Sequence, residues 1–151
     1  MKLGKTLLTA GGAFVALLAV ASLATASAHT NPPVVAEPKW DSPQTRATFM
    51  QVCGDCHSNE TNWKWYTGIA PFSLLINHDV FEGREKFNVS EWGARRMDSR
   101  EAAEQYQKGE MPPPVYMPLH PEAKLTGAAR DEFIKGLQAT FGSGGGPRTR
   151  P

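Results

Sequence analysis

Two cysteines and a histidine stand close together near the middle of the chain, in the order Cys53, Gly54, Asp55, Cys56, His57. The two thiols are three residues apart, so one turn of helix brings both to the same side, where they can add to the two vinyl groups of a haem. The imidazole that follows directly can reach the iron from the same turn. This spacing is the attachment pattern of a c-type haem, with Cys53 and Cys56 as covalent anchors and His57 as an axial ligand.

Two other interpretations of the cysteine pair remain. The pair could form a structural disulfide or a thioredoxin-like redox pair, although no βαβ pattern surrounds it here. A zinc site needs about four cysteine or histidine ligands, and the other histidines, His29, His78 and His120, show no paired spacing. Polar neighbours on both sides of His78 favour a solvated side chain there over an iron ligand.

A second axial ligand is predicted at Met111. This residue follows a predicted helix end and precedes three prolines, whose stiff extended backbone holds the thioether on a loop that faces the haem. Methionine is a common partner of histidine on electron-transfer haems, although it also serves as an apolar filler. Met117 and His120 are the next candidates for this position.

The first residues of the chain indicate export. Two lysines precede an apolar run from Leu7 to Leu23, and small residues before His29 offer cleavage sites, as in a secretory signal peptide. We predict that residues 1–28 are removed after Ala28, with retention as a membrane anchor as the alternative. Both outcomes place the rest of the chain in the periplasm, the compartment in which c-type haem is attached.

Composition limits the size and the partners of the remaining chain. Without residues 1–28, 14 basic side chains face 15 acidic ones, so a net charge of −1 gives no support for nucleic-acid binding. The remaining 123 residues suffice for one small domain. Three prolines in 29–39 predict a linker, and the glycine-rich stretch 142–151 predicts a flexible tail. We expect a haem-binding domain over residues 40–141.

The pattern inside this domain is helical and predicts an all-α fold. A first helix begins at Asp41 or Ser42, next to Pro43, and runs to the haem motif with one broad apolar face. A third helix runs from Ser99 to Lys108, before a glycine.

The second and the last helix show apolar stripes. The second is predicted from about Pro71 to Glu82, stopped by Gly83, with this buried stripe: Phe72, Leu75, Ile76 and Val80. The last begins after Thr126 and ends at Gly142, with its own buried stripe: Ala129, Phe133, Ile134, Leu137 and Phe141. We expect the last helix to cross the first and to bury one edge of the haem.

Aromatic and basic residues after the motif are candidates for contacts with the haem. Trp63, Trp65 and Tyr66 follow so closely that we expect them to form a wall of the haem pocket and to exclude water. Arg84 is a candidate partner for a haem propionate, because a guanidinium pairs with carboxylates through two hydrogen bonds. A surface salt bridge is the alternative role for Arg84.

The chain resembles the haem-binding domain family of bacteria, within the c-type cytochromes. The resemblance covers Trp40–Phe141 and rests on seven segments in order: Cys53–Thr61, Trp63–Tyr66, Ile69–Pro71, Asp79–Arg84, Phe87–Trp92, Gly109–Pro113 and His120–Leu125. The chain departs from the family at Lys64, where proline is common, and at Phe72–Leu74, where Val-Ser-Trp is favoured. The resemblance implies one covalent haem c in a small cytochrome c-like helical domain with His57 as proximal ligand, and no defined partner.

Single-electron transfer is the function that these residues predict. An iron bound by His57 and Met111 has no open position for substrate, and no catalytic constellation stands elsewhere in the sequence, so we expect an electron carrier with redox protein partners and not an enzyme. One alternative is a five-coordinate haem in a sensor or peroxidase-like protein, for which Met111 must not bind iron. Another is a haem-bearing subunit of a membrane complex, associated with the membrane through its N-terminus.

Overall fold

The computed structural model describes residues 2–94 and 99–142, and it is mainly helical. These two ranges contain six α-helices: α1 (Lys2–Ala26), α2 (Pro43–Val52), α3 (Gly54–His57), α4 (Phe72–Lys86), α5 (Ala102–Lys108) and α6 (Gly127–Phe141). Short 3-10 helices lie at Trp65–Gly68, Ser99–Glu101, Met117–Leu119 and Pro121–Ala123. Within the described ranges, β pairing is limited to one isolated bridge between Ala36 and Glu91. The predicted all-α fold is confirmed, while the predicted tail after Gly142 lies outside the described residues.

Helix α2 begins as predicted and leads directly into the haem motif. The hydroxyl of Ser42 accepts a hydrogen bond of 3.1 Å from the amide of Thr45, and Pro43 occupies the first turn. The helix ends at Val52, and α3 then carries the second cysteine and the histidine. The cysteine pair therefore spans the junction of two helices.

Helix α4 continues through Gly83 to Lys86, so the predicted stop at Gly83 is wrong. A Cβ atom at Gly83 would lie 2.5 Å from the carbonyl oxygen of Cys56 and 2.9 Å from its Cβ. Glycine is needed here because α4 packs directly on the backbone of the haem motif, and not because the helix ends.

The predicted buried stripe of α4 is also wrong, except at Val80, whose side chain is 5% exposed. Phe72 is 62% exposed and Leu75 is largely exposed, while Ile76 is half-buried. The buried face of the helix consists instead of small residues, Ser73 and Gly83, beside Val80. Small side chains let α4 approach α3 closely, which turns its larger apolar residues outward.

Helix α6 packs across α2, as expected. It buries Phe133, Ile134, Leu137 and Phe141, whereas Ala129 is exposed, contrary to its predicted place in the stripe. Gly136 packs directly against Thr45 of α2, leaving no room for a larger residue at this crossing.

A single aromatic-rich core joins α2, α5 and α6. Its buried members are Phe49, Val52, Phe87, Val89, Ala103, Tyr106, Phe133, Ile134, Leu137 and Phe141. Phe49, Phe87 and Phe141 pack edge-on or tilted, with ring centroids 5.8–5.9 Å apart. This core holds the end of α2, and with it the haem motif, in a fixed position.

The segment predicted as a linker lies against the domain. Asn31 donates a hydrogen bond of 2.9 Å to the Thr61 carbonyl, and the amide of Val35 donates one of 2.8 Å to the carbonyl of Ser90. The segment has no helix, as its prolines predict, but its polar groups are paired with the loop after the haem motif. It therefore forms part of the domain surface and does not act as a free tether.

Candidate functional site

The four predicted anchors and ligands meet in one cavity of about 410 Å³, a volume within the range of small-molecule sites. Cys53, Cys56 and His57 line one side, and Met111 lines it from the loop that follows α5. The rest of the wall comes from α2, α4, α5, α6 and the loop residues up to Tyr116. The structure thus brings together residues that are far apart in the sequence, as a haem site requires.

His57 is held in the orientation of a haem ligand. Its Nδ1 lies 3.0 Å from the carbonyl oxygen of Gly83 and 3.1 Å from that of Phe87, and its ring stacks on the Phe87 ring at 4.4 Å. A histidine that donates from Nδ1 keeps the Nε2 lone pair for a metal. Burial lowers the pKa of His57 despite these two hydrogen bonds, which favours the neutral ring that metal coordination requires.

The two thiols do not have the character of a redox pair. Burial raises the pKa of Cys53 well above its usual value, and burial together with the carboxylates of Asp55 and Asp79 raises the pKa of Cys56 to about 12. Both cysteines are free in the structure. Catalytic thiols in Cys-x-x-Cys motifs have lowered pKa values, so this environment disfavours the thioredoxin-like interpretation.

Met111 enters the cavity because α5 ends abruptly. Gly109, with a φ of 76°, closes the helix in the left-handed conformation that favours glycine. The amides of Glu110 and Met111 then both donate to the carbonyl of Gln105, at 3.0 and 3.3 Å, and the chain turns toward the haem motif. Pro112 and Pro113 continue along the cavity wall without helix, as the sequence predicts.

Met117 and His120, the alternative ligands, do not line the cavity. His120 is buried elsewhere, with its Nε2 2.9 Å from the hydroxyl of Tyr66 and its ring stacked on Tyr116 at 3.6 Å. The geometry therefore favours Met111 over both. His78 is exposed on α4, 3.9 Å from Glu82, in agreement with its predicted solvated position.

Asp55 and Tyr116 are site residues that sequence reasoning missed. The Tyr116 hydroxyl donates a hydrogen bond of 2.8 Å to Asp55 Oδ2, and the amide of Asn62 donates one of 2.8 Å to Oδ1. Both Asp55 and Tyr116 line the cavity. The position of Asp55 between the two cysteines was a usable signal, whereas nothing in the sequence connects it with a tyrosine 61 positions later.

The predicted aromatic wall lies outside the cavity. Trp63 stacks on His29 and donates to Asn31, Tyr66 contacts His120, and Trp65 is 83% exposed. The apolar part of the cavity wall comes instead from α2, the residue after α4, α5 and α6: Phe49, Phe87, Tyr106 and Leu137. Proximity in sequence to the haem motif was therefore a poor guide to this wall.

Arg84 is likewise turned away from the cavity. It donates to the carbonyl oxygens of Ser58 and Thr30, at 2.9 and 3.1 Å, and to the Thr61 hydroxyl at 2.9 Å. These bonds fasten the docked N-terminal segment to the loop after the motif, in place of the predicted propionate contact. Among the described lining residues the only cation is Lys86, one turn of α4 beyond Glu82.

Comparison with known proteins agrees with this site. The sequence pattern of a family described as the haem-binding domain matches residues 14–139, which is most of the chain and includes every residue of the cavity. The match begins within α1. No curated protein and no solved structure shows a significant match to the chain. The extent of the family match shows that this chain belongs to the haem-binding domain family.

Proposed function

We propose that the chain is a mono-haem c-type cytochrome that transfers single electrons outside the cytoplasm. The observation that carries this proposal is that His57 and Met111 line the same cavity as Cys53 and Cys56. The family match supports haem binding. Covalent attachment and electron transfer are inferred from the residues that line the cavity.

Different residues serve covalent attachment of the haem, ligation of its iron and exclusion of water. Haem c supplies an iron centre that gains and loses one electron. The thiols of Cys53 and Cys56 would bond to it, and the Nε2 atom of His57 and the thioether of Met111 would hold its iron. Apolar neighbours such as Phe87 keep water from this centre. If His57 and Met111 both hold the iron, substrate would have no access to it, which suits a carrier better than an enzyme.

Helix α1 bears on the location of the protein, and the proposed electron transfer bears on its partners. Helix α1 is long and apolar enough to cross a membrane, a property that signal sequences share. Its position before the domain is compatible with a periplasmic site of action. Redox proteins are the expected partners, since a carrier needs one donor and one acceptor.

Expression with a functional haem-attachment machinery tests this proposal. We expect haem stain to remain with the polypeptide on a denaturing gel and the intact mass to include one haem, and we expect Cys53→Ala to lose at least one of the two thioether bonds. The ferrous protein should bind carbon monoxide poorly, since both axial positions are filled. A chain that holds no covalent haem would contradict the cytochrome assignment. Ready binding of carbon monoxide with peroxide turnover would favour the sensor or peroxidase-like alternative.

A further inference from the structure

We propose that α1 is retained and that the domain rests on the lipid surface through an apolar face beside it. This apolar face consists of exposed residues in the 3-10 helix Trp65–Gly68, at the position that follows it and in the first turn of α4: Trp65, Ile69, Phe72, Leu74 and Leu75. Trp65 and Leu74 are 83% and 54% exposed, which is unusual for a group of large apolar side chains that lie so close in the chain. The proposal goes beyond the proposed electron transfer and does not depend on it.

Helix α1 has the length of a membrane span. Its apolar part, Gly4–Ala26, contains 23 residues. At a rise of about 1.5 Å per residue it extends roughly 34 Å, against a hydrocarbon core of about 30 Å. The second half of α1 also belongs to the matched family sequence, which begins at residue 14.

One side of α1 packs against the domain. Four residues of α1 recur at helical spacing and are half-buried, whereas the side chains described elsewhere in the helix are exposed: Leu18, Ala21, Ser22 and Thr25. Helix α1 contacts both α4 and the 3-10 helix that carries Trp65. The apolar face is therefore continuous with the surface on which the candidate span enters the domain.

Two hydrogen bonds show at which point along α1 the domain makes this contact. The amide of Ala70 donates to the Ser22 hydroxyl at 2.9 Å, and the side chain of Asn77 donates to the carbonyl of Thr25 at 3.3 Å. Ser22 lies four residues before Ala26, which is about 6 Å inside the helix end. When α1 spans a bilayer, Ala70 and its neighbours must lie near the boundary between hydrocarbon and headgroups.

The same bonds give the direction of α4. Ala70, two residues before α4, adjoins Ser22, and Asn77, in the second turn of the helix, adjoins Thr25, so α4 rises away from the membrane along its length. The exposed side chains change along the helix: Phe72, Leu74 and Leu75 come first, Phe81 is exposed among charged residues, and Glu85 and Lys86 come last. Geometry and polarity agree that the start of α4 faces lipid, and an exposed tryptophan beside it suits the interface between lipid and water.

Lipid is the occupant that fits this face best. A protein partner would have to share the face with the bilayer around α1, because Ala70 is tied to the span itself. The charged C-terminal half of α4, which lines the cavity with Asp79, Glu82 and Lys86, would then point away from the membrane. This orientation leaves the haem site accessible to a partner from the aqueous side.

Photo-crosslinking in native membranes tests the proposal. The full chain is produced with p-benzoylphenylalanine in place of Phe72 and, as a matched control, in place of Val115, which is equally exposed but does not belong to the apolar face. We expect a phospholipid adduct from position 72 and none from position 115, on a chain whose intact mass begins at Met1. Resistance to proteolysis equal to that of the unchanged chain verifies folding. If the Phe72 variant fails that check, Leu74 takes its place.

Three results would overturn the proposal. One is a mature N-terminus at or near His29, which removes the span. Another is irradiation that yields no lipid adduct from position 72, or as much from position 115. The third is a protein adduct in place of the lipid adduct, which would make the apolar face a protein interface. None of these results bears on covalent haem, so the two proposals can fail separately.

Discussion

The phenol of Tyr116 donates a hydrogen bond of 2.8 Å to Asp55 and thereby ties the Met111 loop to the turn that carries both cysteines. Burial, together with the Asp55 carboxylate, raises the pKa of Tyr116 far above its usual value, so the phenol remains a donor at every physiological pH. The two sides of the cavity are thus connected by a direct polar contact as well as by the core.

Replacement of the Tyr116 hydroxyl should lower the free energy of unfolding without changing the fold. Tyr116→Phe leaves the stacking on His120 in place but deprives the partly buried Asp55 of one partner, and hydrogen bonds to charged groups contribute about 1.5–3 kcal/mol. We expect a loss near the lower end of this range in the free energy of unfolding, measured in urea through the haem absorption. The exposed neighbour Val115→Ala should change it by less than about 0.5 kcal/mol. Equal stability of Tyr116→Phe and the unchanged chain would show that the contact contributes nothing.

A substitution at Gly83 tests the close packing of α4 on the haem motif. In Gly83→Ala, the new methyl group would lie 2.5 Å from the Cys56 carbonyl oxygen, so one of the two helices must move. Overpacking of this kind costs about 1–3 kcal/mol, and the shift should also reduce the yield of attached haem on a stained gel. Gly68→Ala is the matched control, because its nearest non-neighbouring atom is 3.7 Å away. A yield equal to that of the control would contradict the packing argument.

Local signals were sufficient for much of the fold. Ser42 and Pro43 mark the start of α2, and Gly109 marks the end of α5, because caps depend on neighbouring residues alone. The spacing of the haem motif identified the residues of the cavity wall around Cys53, and the prolines after Met111 identified the opposite loop. These features need no knowledge of what packs against them.

Long-range contacts were beyond the reach of the sequence. Gly83 looks like a helix stop, but its role depends on Cys56, 27 positions earlier in the chain and in contact only after folding. Apolar residues such as Phe72 indicate burial, yet periodicity cannot tell a protein core from a surface that faces outward. Arg84 has the chemistry of a propionate partner, but nearby carbonyl groups, such as that of Ser58, satisfy it instead.

A pH-dependent contribution is expected from Glu37, which anchors the N-terminal segment to α2. Arg46 donates to its carboxylate from two nitrogens, at 2.6 and 2.7 Å, and Trp40 donates at 2.7 Å. The hydrogen bonds from Arg46 hold the pKa of Glu37 below its usual value. Because the folded pKa is the lower one, this stabilisation is complete above the unfolded pKa of about 4.3 and is lost as the pH falls through the folded pKa.

Glu37→Gln should therefore lower stability at pH 7 and make it less sensitive to acid. We expect a loss of about 0.5–1 kcal/mol at pH 7, since the pair is partly exposed, and a smaller loss of stability than the unchanged chain between roughly pH 5 and pH 3. Urea unfolding at several pH values measures both effects. Glu132→Gln, an exposed change on α6, should leave the pH profile unaltered. A profile for Glu37→Gln that parallels the unchanged chain would disprove the assignment.

Met111→Ala is the decisive change for the proposed iron ligation. Removal of the thioether should open the iron to water and carbon monoxide, abolish the methionine charge-transfer band of the ferric protein and lower the reduction potential, because methionine ligation favours ferrous iron. Covalent attachment should persist, since Cys53, Cys56 and His57 are unchanged. Met117→Ala should retain the native spectrum and potential, because Met117 does not line the cavity. If Met117→Ala loses the band and Met111→Ala keeps it, the loop must rearrange when haem binds, and the ligand assignment drawn from the cavity is wrong.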